Sequence, residues 1–498
     1  MLKKIPISII CLIIGALMPL AYAPLNIFFI AILCPALLLV LWLDRSPGLA
    51  FRYGYFFGLG MFGVGVYWLH ISINMFGGVD FVGSIVLTAA LVAFLSLYPA
   101  LVGYIGRRWF GKNDTMFLLL AIPVLWVLAE WARSWVLTGF PWLNLGYSQT
   151  DTFFSGLAPL LGVYAVSWFT LLVAALLVCL YRFQKQGAPA VLAALMLLCI
   201  SNFSLTKVDW TRVEKDNVSA ALIQAAIPQE LKWRPELRQK SLDLYMKLSK
   251  PHWGDDIIVW PETAIPAYSF SVPDLMDELK MLTSKHDTIF LSGIINKKPE
   301  TSNYYNAVMM IADEKIDWYQ KQHLVPFGEY LPLKFILGVF LDFLQIPMSD
   351  FSAGEVQAPL LKANDISLGI SICYEDTFGE EVIKALPEAT LLVNVSNDAW
   401  FGDSLAPHQH LQMARMRALE SGRYMLRATN TGISAIIDEK GEIVKQSPQF
   451  KATALSAQVS LFKGSTPYVL WGNYPVVIAS LILLLCLFFY QKKETTKV

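Results

Sequence analysis

The chain has 498 residues, 55% of them hydrophobic and only 16% charged, with a mean hydropathy of +0.49. That balance excludes an ordinary soluble globule and makes the chain largely a membrane protein. Acidic and basic residues number 39 each, and no Lys/Arg-rich block occurs, so nothing points to a nucleic-acid partner.

In chain order, apolar runs fall near 6–22, 26–43, 54–74, 81–105, 116–132, 157–181 and 188–204, and one more at 468–490. Each approaches the roughly 20 residues a helix needs to cross a hydrocarbon core, where no backbone polar group can stay unpaired. About eight spans are expected, with Pro19, Pro35, Pro99, Pro123 and Pro159 marking kinks. Residues 1–23 also match a cleaved signal peptide, through "MLKK", an apolar core and "AYA". A second apolar run follows almost at once, which favours a polytopic hairpin, and either reading leaves the later polar domain on the same side.

Basic residues fall on alternate connections: Lys3 and Lys4, Arg45 and Arg52, Arg107, Arg108 and Lys112, Arg182 and Lys185, then Lys492, Lys493 and Lys497. These mark the cytoplasmic side. The opposite connections carry no Lys or Arg except Arg133 at a span end. Both termini are then cytoplasmic, and the stretch between spans seven and eight is extracytoplasmic. The expected domains are a seven-helix membrane domain over 1–204, an extracytoplasmic domain over 205–465, and a final span with a cytoplasmic tail over 466–498.

From about 205 the composition turns charged and mixed. Short β-rich runs, "VSAALIQAAI", "DIIVW", "TIFLSGII", "NAVMMIA", "ISLGISI", "TLLVNVS" and "ISAIID", alternate in part with helical patterns at 235–250, 274–286 and 406–424. Apolar strands interleaved with helices predict an α/β sheet covered by helices, and about 260 residues suffice for one core.

Five cysteines, Cys11, Cys34, Cys179, Cys199 and Cys486, lie in apolar segments. The sixth, Cys373, ends the strand "ISLGISI" in the polar domain and is expected to be unpaired. Strand ends are where α/β folds build sites. Glu262 follows "DIIVWP", Asn397 and Asp398 follow "LLVNVS", and Lys321 stands apart in the loop-like "YQKQHLVPFGEYLP" with Pro326, Gly328 and Pro332. A thiol needs a base to become a nucleophile, and a carboxylate in a partly desolvated pocket serves, which suggests Glu262. An ammonium and a backbone N–H stabilise the oxyanion that follows attack on a carbonyl, which suggests Lys321 and the amide of Tyr374. Spacing alone leaves the plainer alternative open: a helix-capping Glu262, a solvated Lys321 and a core Cys373.

The motifs "WPETAIP", "YQKQHLVPFGEYLP", "ICYED" and "SNDAWFG" resemble the signatures of the nitrilase superfamily. With "IPQELKW", "YYNAV", "HQHLQMARMRALE", "TNTGISA" and flanking membrane spans, the chain is similar over nearly its full length to that superfamily's membrane-embedded branch, the apolipoprotein N-acyltransferases. The resemblance implies a polytopic helical membrane protein carrying an inserted α-β-β-α sandwich. It implies Glu262 as general base, Lys321 as stabiliser of the intermediate and Cys373 as nucleophile. It further implies Glu329 beside the triad, Tyr374 and Glu375 behind the nucleophile, Trp233 on a substrate-facing arm and Asn306 in the pocket wall, with core packing the alternative for Trp233. The implied reaction moves a fatty acyl chain from a phospholipid through a Cys373 thioester to the α-amino group of a diacylglyceryl-modified cysteine of an apolipoprotein. The setting is a bacterial inner membrane, and no cofactor is implied.

Two enzyme outcomes stay open, acyl transfer and an amidase that passes its thioester to water. A transporter or receptor is disfavoured by the scarcity of charge in the spans and the lack of an internal repeat. His408 and His410 are one residue apart in "HQH", unlike a helical zinc pair, so hydrogen bonding is expected there rather than metal. "GLGMFGVG" at 58–65 lies in an apolar run and predicts helix contact rather than a nucleotide loop. Glu130 and Arg133 are expected to form an ion pair, and Trp135, Trp142 and Tyr147 an interfacial aromatic belt.

Overall fold

The computed structural model describes residues 5–183, 187–297, 303–330, 351–355 and 357–495; Lys3, Lys4, Lys185, Pro332 and Lys497 lie outside them. The chain divides into two compact units. One comprises Met1–His70, Phe81–Val208 and Leu470–Val498, and the other Ile71–Asp80 and Asp209–Val469.

All eight apolar runs are helical. Phe81–Phe110, Asp114–Arg133, Phe153–Arg182, Ala188–Leu205 and Tyr474–Lys493 are long and apolar enough to cross a membrane. Pro47–Gly65 with the bent continuation Leu69–Phe76 makes a sixth if the pair is one span, whereas Ile7–Ala21 and Ile30–Trp42 are shorter. Length and composition therefore support five or six crossings among the described residues, fewer than the expected eight. Helix Ala188–Leu205 keeps Leu192, Met196, Leu197, Ile200 and Phe203 exposed, an outward apolar face suited to lipid.

The glycines of "GLGMFGVG" do pack helices. A Cβ on Gly60 would collide with the backbone at Leu12, and one on Gly15 with the carbonyl of Phe57, so helices Ile7–Leu17 and Pro47–Gly65 touch backbone to backbone. Pro123 is accommodated by a π turn over Phe117–Ala121, a local adjustment that a missing N–H requires. The aromatic belt is corrected: Trp135 is exposed, but Trp142 and Tyr147 are buried, and Trp142 stacks on Phe140 at 5.1 Å. These two rings fill the interior of the helical unit instead of facing outward.

The second unit holds thirteen strands among the described residues: β1 (Arg212–Gln224), β2 (Ile257–Val259), β3 (Ile265–Tyr268), β4 (Ile289–Lys297), β5 (Tyr304–Ala312), β6 (Lys315–Gln320), β7 (Leu360–Ala363), β8 (Ile366–Ile372), β9 (Leu391–Ser396), β10 (Met425–Thr429), β11 (Ala435–Ile437), β12 (Ile443–Gln446) and β13 (Thr453–Lys463). One sheet runs β13-β1-β2-β4-β5-β6 with β3 added beside β4; the other runs β12-β11-β10-β9-β8-β7. The expected β-rich runs became β1, β2, β4, β5, β8, β9 and β11.

Period-two alternation builds the layers. Leu222, Val259, Leu291 and Met310 of the first sheet meet Ile370, Val393, Leu426 and Ile436 of the second in one central core. Their neighbours point the other way: Ile223, Ile258, Phe290 and Met309 pack under helices Pro235–Ser249 and Pro273–His286. Leu392, Met425 and Ala435 pack under helix Ala406–Ser421. The result is an α-β-β-α sandwich.

Strand direction then decides what meets. β1, β2 and β4 are parallel, and β5 and β6 alternate antiparallel beyond them. The carboxyl ends of β2, β4 and β6 and the amino end of β5 therefore share one rim. Glu262, Asn306 and Lys321 stand on it.

Candidate active site

Glu262 comes two residues past the Trp260 that extends β2. Its segment is pressed onto β4, where the N–H of Gly293 donates to the carbonyl of Pro261 at 3.1 Å. Any Cβ on Gly293 would strike the backbone of Glu262 and Thr263, so this close approach requires glycine. Lys321 is not in a separate loop, as the sequence suggested. It directly follows β6 and continues the ladder, its N–H donating to the carbonyl of Asn306 at 2.8 Å.

Three of these side chains and Glu329 form one buried hub. The Nδ2 of Asn306 donates to Glu262 Oε1 at 2.7 Å and to Glu329 Oε1 at 2.8 Å. Lys321 Nζ meets both oxygens of Glu329, at 3.0 and 2.8 Å. Glu329 Oε2 also accepts from the N–H of Val325 at 2.8 Å, which closes its own turn.

Cys373 sits at the sharp passage from β8 into the 3₁₀ turn Cys373–Thr377 with φ +52°, in the left-handed region that costs a residue with a Cβ. Glu375 holds that turn. Its Oε2 accepts from Ile372 N–H at 2.8 Å, and its Oε1 accepts from the hydroxyl of Tyr319 at 2.9 Å and from the N–H groups of Gln322 and His323 at 2.7 and 3.1 Å. A single carboxylate thus ties the Cys373 turn to the segment that follows β6 and carries Lys321.

Burial pushes the Glu262 carboxyl up, with Lys321 opposing and Glu329 adding to the rise. Burial would lower the Lys321 ammonium, but Glu329 and Glu262 overcome it and hold the proton firmly. Burial also pushes the Cys373 thiol up, reinforced by Glu262 and opposed by Lys321. The resting pocket is then a neutral thiol beside a carboxylate with enhanced proton affinity and a permanent cation. Glu375 is pushed up to about 7 by burial, with Lys321 opposing.

The other expected residues lie close by. The ring of Tyr374 is edge-on to Phe378 at 5.0 Å and to His323 at 5.4 Å. Trp233 packs, partly buried, against Ile295, Leu324 and Phe351.

Sequence reasoning missed a second charged cluster, which includes Asp376 of the Cys373–Thr377 turn. His410 Nε2 pairs with Asp376 at 2.7 Å and its Nδ1 with Asp398 at 3.1 Å, while Arg427 reaches Asp376 at 3.0 Å and Asp398 at 3.1 Å. All four are buried. Burial and Arg427 work against the His410 proton, but the two aspartates prevail and its pKa is pushed up to about 9. Asp376, which carried no expected role, and Arg427, inside the unexpected strand β10, gave a signal only as charges within otherwise apolar stretches. His410 makes the hydrogen bonds expected of "HQH". Lys232 was also missed; its Nζ donates to the main-chain carbonyl of Glu262 at 3.0 Å.

Two sheets packed face to face and covered by helices form the α-β-β-α sandwich, and residues 219–463 match the family described as carbon-nitrogen hydrolase. Residues 14–176 match the apolipoprotein N-acyltransferase N-terminal domain. The chain is 44% identical to the apolipoprotein N-acyltransferase of Methylococcus capsulatus, over 93% of this chain and 92% of that one, and 41% identical to that of Nitrosomonas europaea, over 91% of each. A Saccharomyces cerevisiae protein of branch 10 of the nitrilase superfamily aligns with a TM-score of 0.39 at 19% identity, covering 50% of this chain and 93% of its own. This chain belongs to the apolipoprotein N-acyltransferase family.

Proposed function

We propose that the protein transfers a fatty acyl chain from a phospholipid to the α-amino group of the diacylglyceryl-modified cysteine of an apolipoprotein. The observation that carries the reading is a strained, partly exposed Cys373 whose thiol feels the charges of Glu262 and Lys321, in a chain rich in lipid-suited helices. Glu262 takes the thiol proton as sulfur bonds to the ester carbon. Lys321 and the Tyr374 amide stabilise the oxyanion. The ester C–O bond breaks, Glu262 returns its proton to the leaving lysophospholipid oxygen, and a thioester remains. The acceptor amine then attacks that carbonyl, giving its proton to Glu262; the C–S bond breaks and the thiol is restored. Glu329 and Asn306 hold the base and cation in place, Glu375 and Tyr374 support the nucleophile's turn, and Trp233 lines the acyl path.

Residues 1–204 and 466–498 anchor this domain by up to eight spans in the bacterial inner membrane, with residues 205–465 in the periplasm and both termini cytoplasmic. Both substrates are lipid-anchored, and drawing an acyl chain laterally from the bilayer avoids a cost of about 0.8 kcal/mol per exposed CH₂.

Purified protein incubated with phospholipid but no acceptor is expected to carry a hydroxylamine-sensitive acyl mass on the peptide containing Cys373, absent from Cys373→Ala. Adding a diacylglyceryl peptide should discharge it onto the peptide amine. Free fatty acid in place of acylated peptide would favour the amidase reading, and turnover by Cys373→Ala would overturn both.

A further inference from the structure

Lys232 ends the short helix Gln229–Lys232 and is only 3% exposed. Among the described residues its Nζ makes one hydrogen bond, to the main-chain carbonyl of Glu262, although an ammonium carries three donors. Burying an ammonium without a carboxylate on it is costly, and an apolar residue of the same length would sit there at less expense. The charge therefore calls for a use.

The hub supplies one. Two carboxylates, Glu262 and Glu329, accept from the same Nδ2 of Asn306 and so are close neighbours. Both short contacts of Lys321 go to Glu329. No cation touches the Glu262 carboxylate among the described residues, where its side-chain hydrogen-bond partner is the neutral Asn306. With Lys321 alone, the two carboxylates and the ammonium leave one negative charge uncompensated, a charge most easily removed by keeping a proton on Glu262. A Glu262 already protonated cannot accept the proton of a thiol.

We propose that Lys232 is the second cation of the site, a positioning residue whose charge behind Glu262 keeps that carboxylate ionised and ready to act as base. The inference rests on the reading of Glu262 as base. It makes the four charges Glu262, Glu329, Lys321 and Lys232 sum to zero. The groups facing Glu262 are Lys321 beyond β6, Glu329 in the following turn, Asn306 on β5, Cys373 beyond β8 and Lys232 itself. Burial brings the Lys232 pKa down to about 8, with Glu262 opposing, so it is still charged at neutral pH.

The segment bearing Lys232 is clamped from the opposite sheet. Asn430 exchanges hydrogen bonds with Ile227, at 3.0 and 2.7 Å, and Asn397 donates to Gln229 Oε1 at 2.7 Å. The asparagines of "TNTGISA" and "SNDAWFG" thereby help fix the segment that brings the Lys232 ammonium onto the Glu262 main chain.

The test uses the full-length protein in detergent with iodoacetamide as the probe. The rate of alkylation is followed on the Cys373 peptide by mass spectrometry across about pH 5 to 9. Lys232→Met removes the charge; Lys232→Gln removes the charge but keeps a donor for the carbonyl; Lys232→Arg keeps both. We expect both neutral variants to move the acid limb upward by about one pH unit, a roughly tenfold slower reaction below it, and Lys232→Arg to stay near the parent. Should Lys232→Met fail to fold, Lys232→Gln decides alone. A profile for Lys232→Gln superimposed on the parent would overturn the inference, provided that Glu262→Gln abolishes the limb. If Glu262→Gln keeps the limb, the base assignment itself has failed.

Discussion

Glu130 and Arg133 in the helical unit and Glu262 and Lys321 in the α/β unit are both buried carboxylates with a buried cation near in sequence or space, yet they spend their hydrogen bonds differently. Glu130 Oε1 accepts from Trp126 Nε1 at 3.0 Å and from Leu145 N–H at 2.8 Å. Arg133 donates to the carbonyl of Trp142 and to Asn144 Oδ1. No hydrogen bond joins the two among the described residues, so the expected direct ion pair is instead a clamp on Trp142–Leu145. That segment includes Leu143 at φ +60°, and the hydroxyl of Tyr22 binds the same residue's carbonyl at 2.9 Å. In the α/β unit the charges bind one another, Glu262 and Glu329 through Asn306 and Lys321 and Glu329 directly. The charges of the clamp are spent on backbone and neutral side-chain groups of Trp142–Leu145 and Trp126, whereas those of the hub are spent largely on one another.

The sharpest break of this contrast is Lys321→Met. It removes the cation proposed to stabilise the oxyanion and leaves Glu329 without its ion-pair partner, so acyl transfer should fall by about 10² to 10³ in turnover, read with a diacylglyceryl peptide acceptor. A loss under tenfold would mean that the hub is structural, like the Glu130 clamp. Arg133→Leu tests the other half. Removing the cation and leaving Glu130 buried should cost about 3 to 5 kcal/mol of stability, seen as a lower unfolding midpoint in detergent. The pH profile of Cys373 alkylation in the molecules that remain folded should not move. A displaced profile would show that the clamp does more than hold its own loop.

What the sequence revealed follows the same division. Continuous apolar runs announced every long helix, and the runs that became β1, β2, β4, β5, β8, β9 and β11 were legible because both their faces are buried. β10 was not, because Arg427 interrupts its pattern, and only the fold supplies the Asp376 and Asp398 that make a buried guanidinium tolerable. β13 was hidden for a related reason, since only Leu455, Val459, Leu461 and Phe462 among its residues are buried. At the site, residue type and strand-end position indicated Glu262 and Cys373. Lys321 looked like loop because β6 is polar and mostly unburied, and nothing in the sequence singled out Lys232, since a lysine beside a proline-flanked turn usually lies at the surface. The direct contacts among these groups depend on strand direction, which composition does not encode.

The smallest expected effect comes from Tyr319→Phe, and it separates electrostatic support from packing within the site. The hydroxyl is one of three donors on Glu375 Oε1, and the N–H groups of Gln322 and His323 remain in the variant. The loss should be about 1 kcal/mol and should leave turnover within tenfold. Its pH dependence is the informative part. Burial raises the folded Glu375 from 4.5 to about 7, so between these values the folded state binds the proton more tightly than the unfolded one, and stability falls as pH rises through that window. The Tyr319 hydroxyl serves the ionised carboxylate, so removing it should cost little near pH 5 and most near pH 8, measured by unfolding at the two values. An equal loss at both would mean that the hydroxyl matters for filling space, because a packing contact has no reason to follow the charge on Glu375.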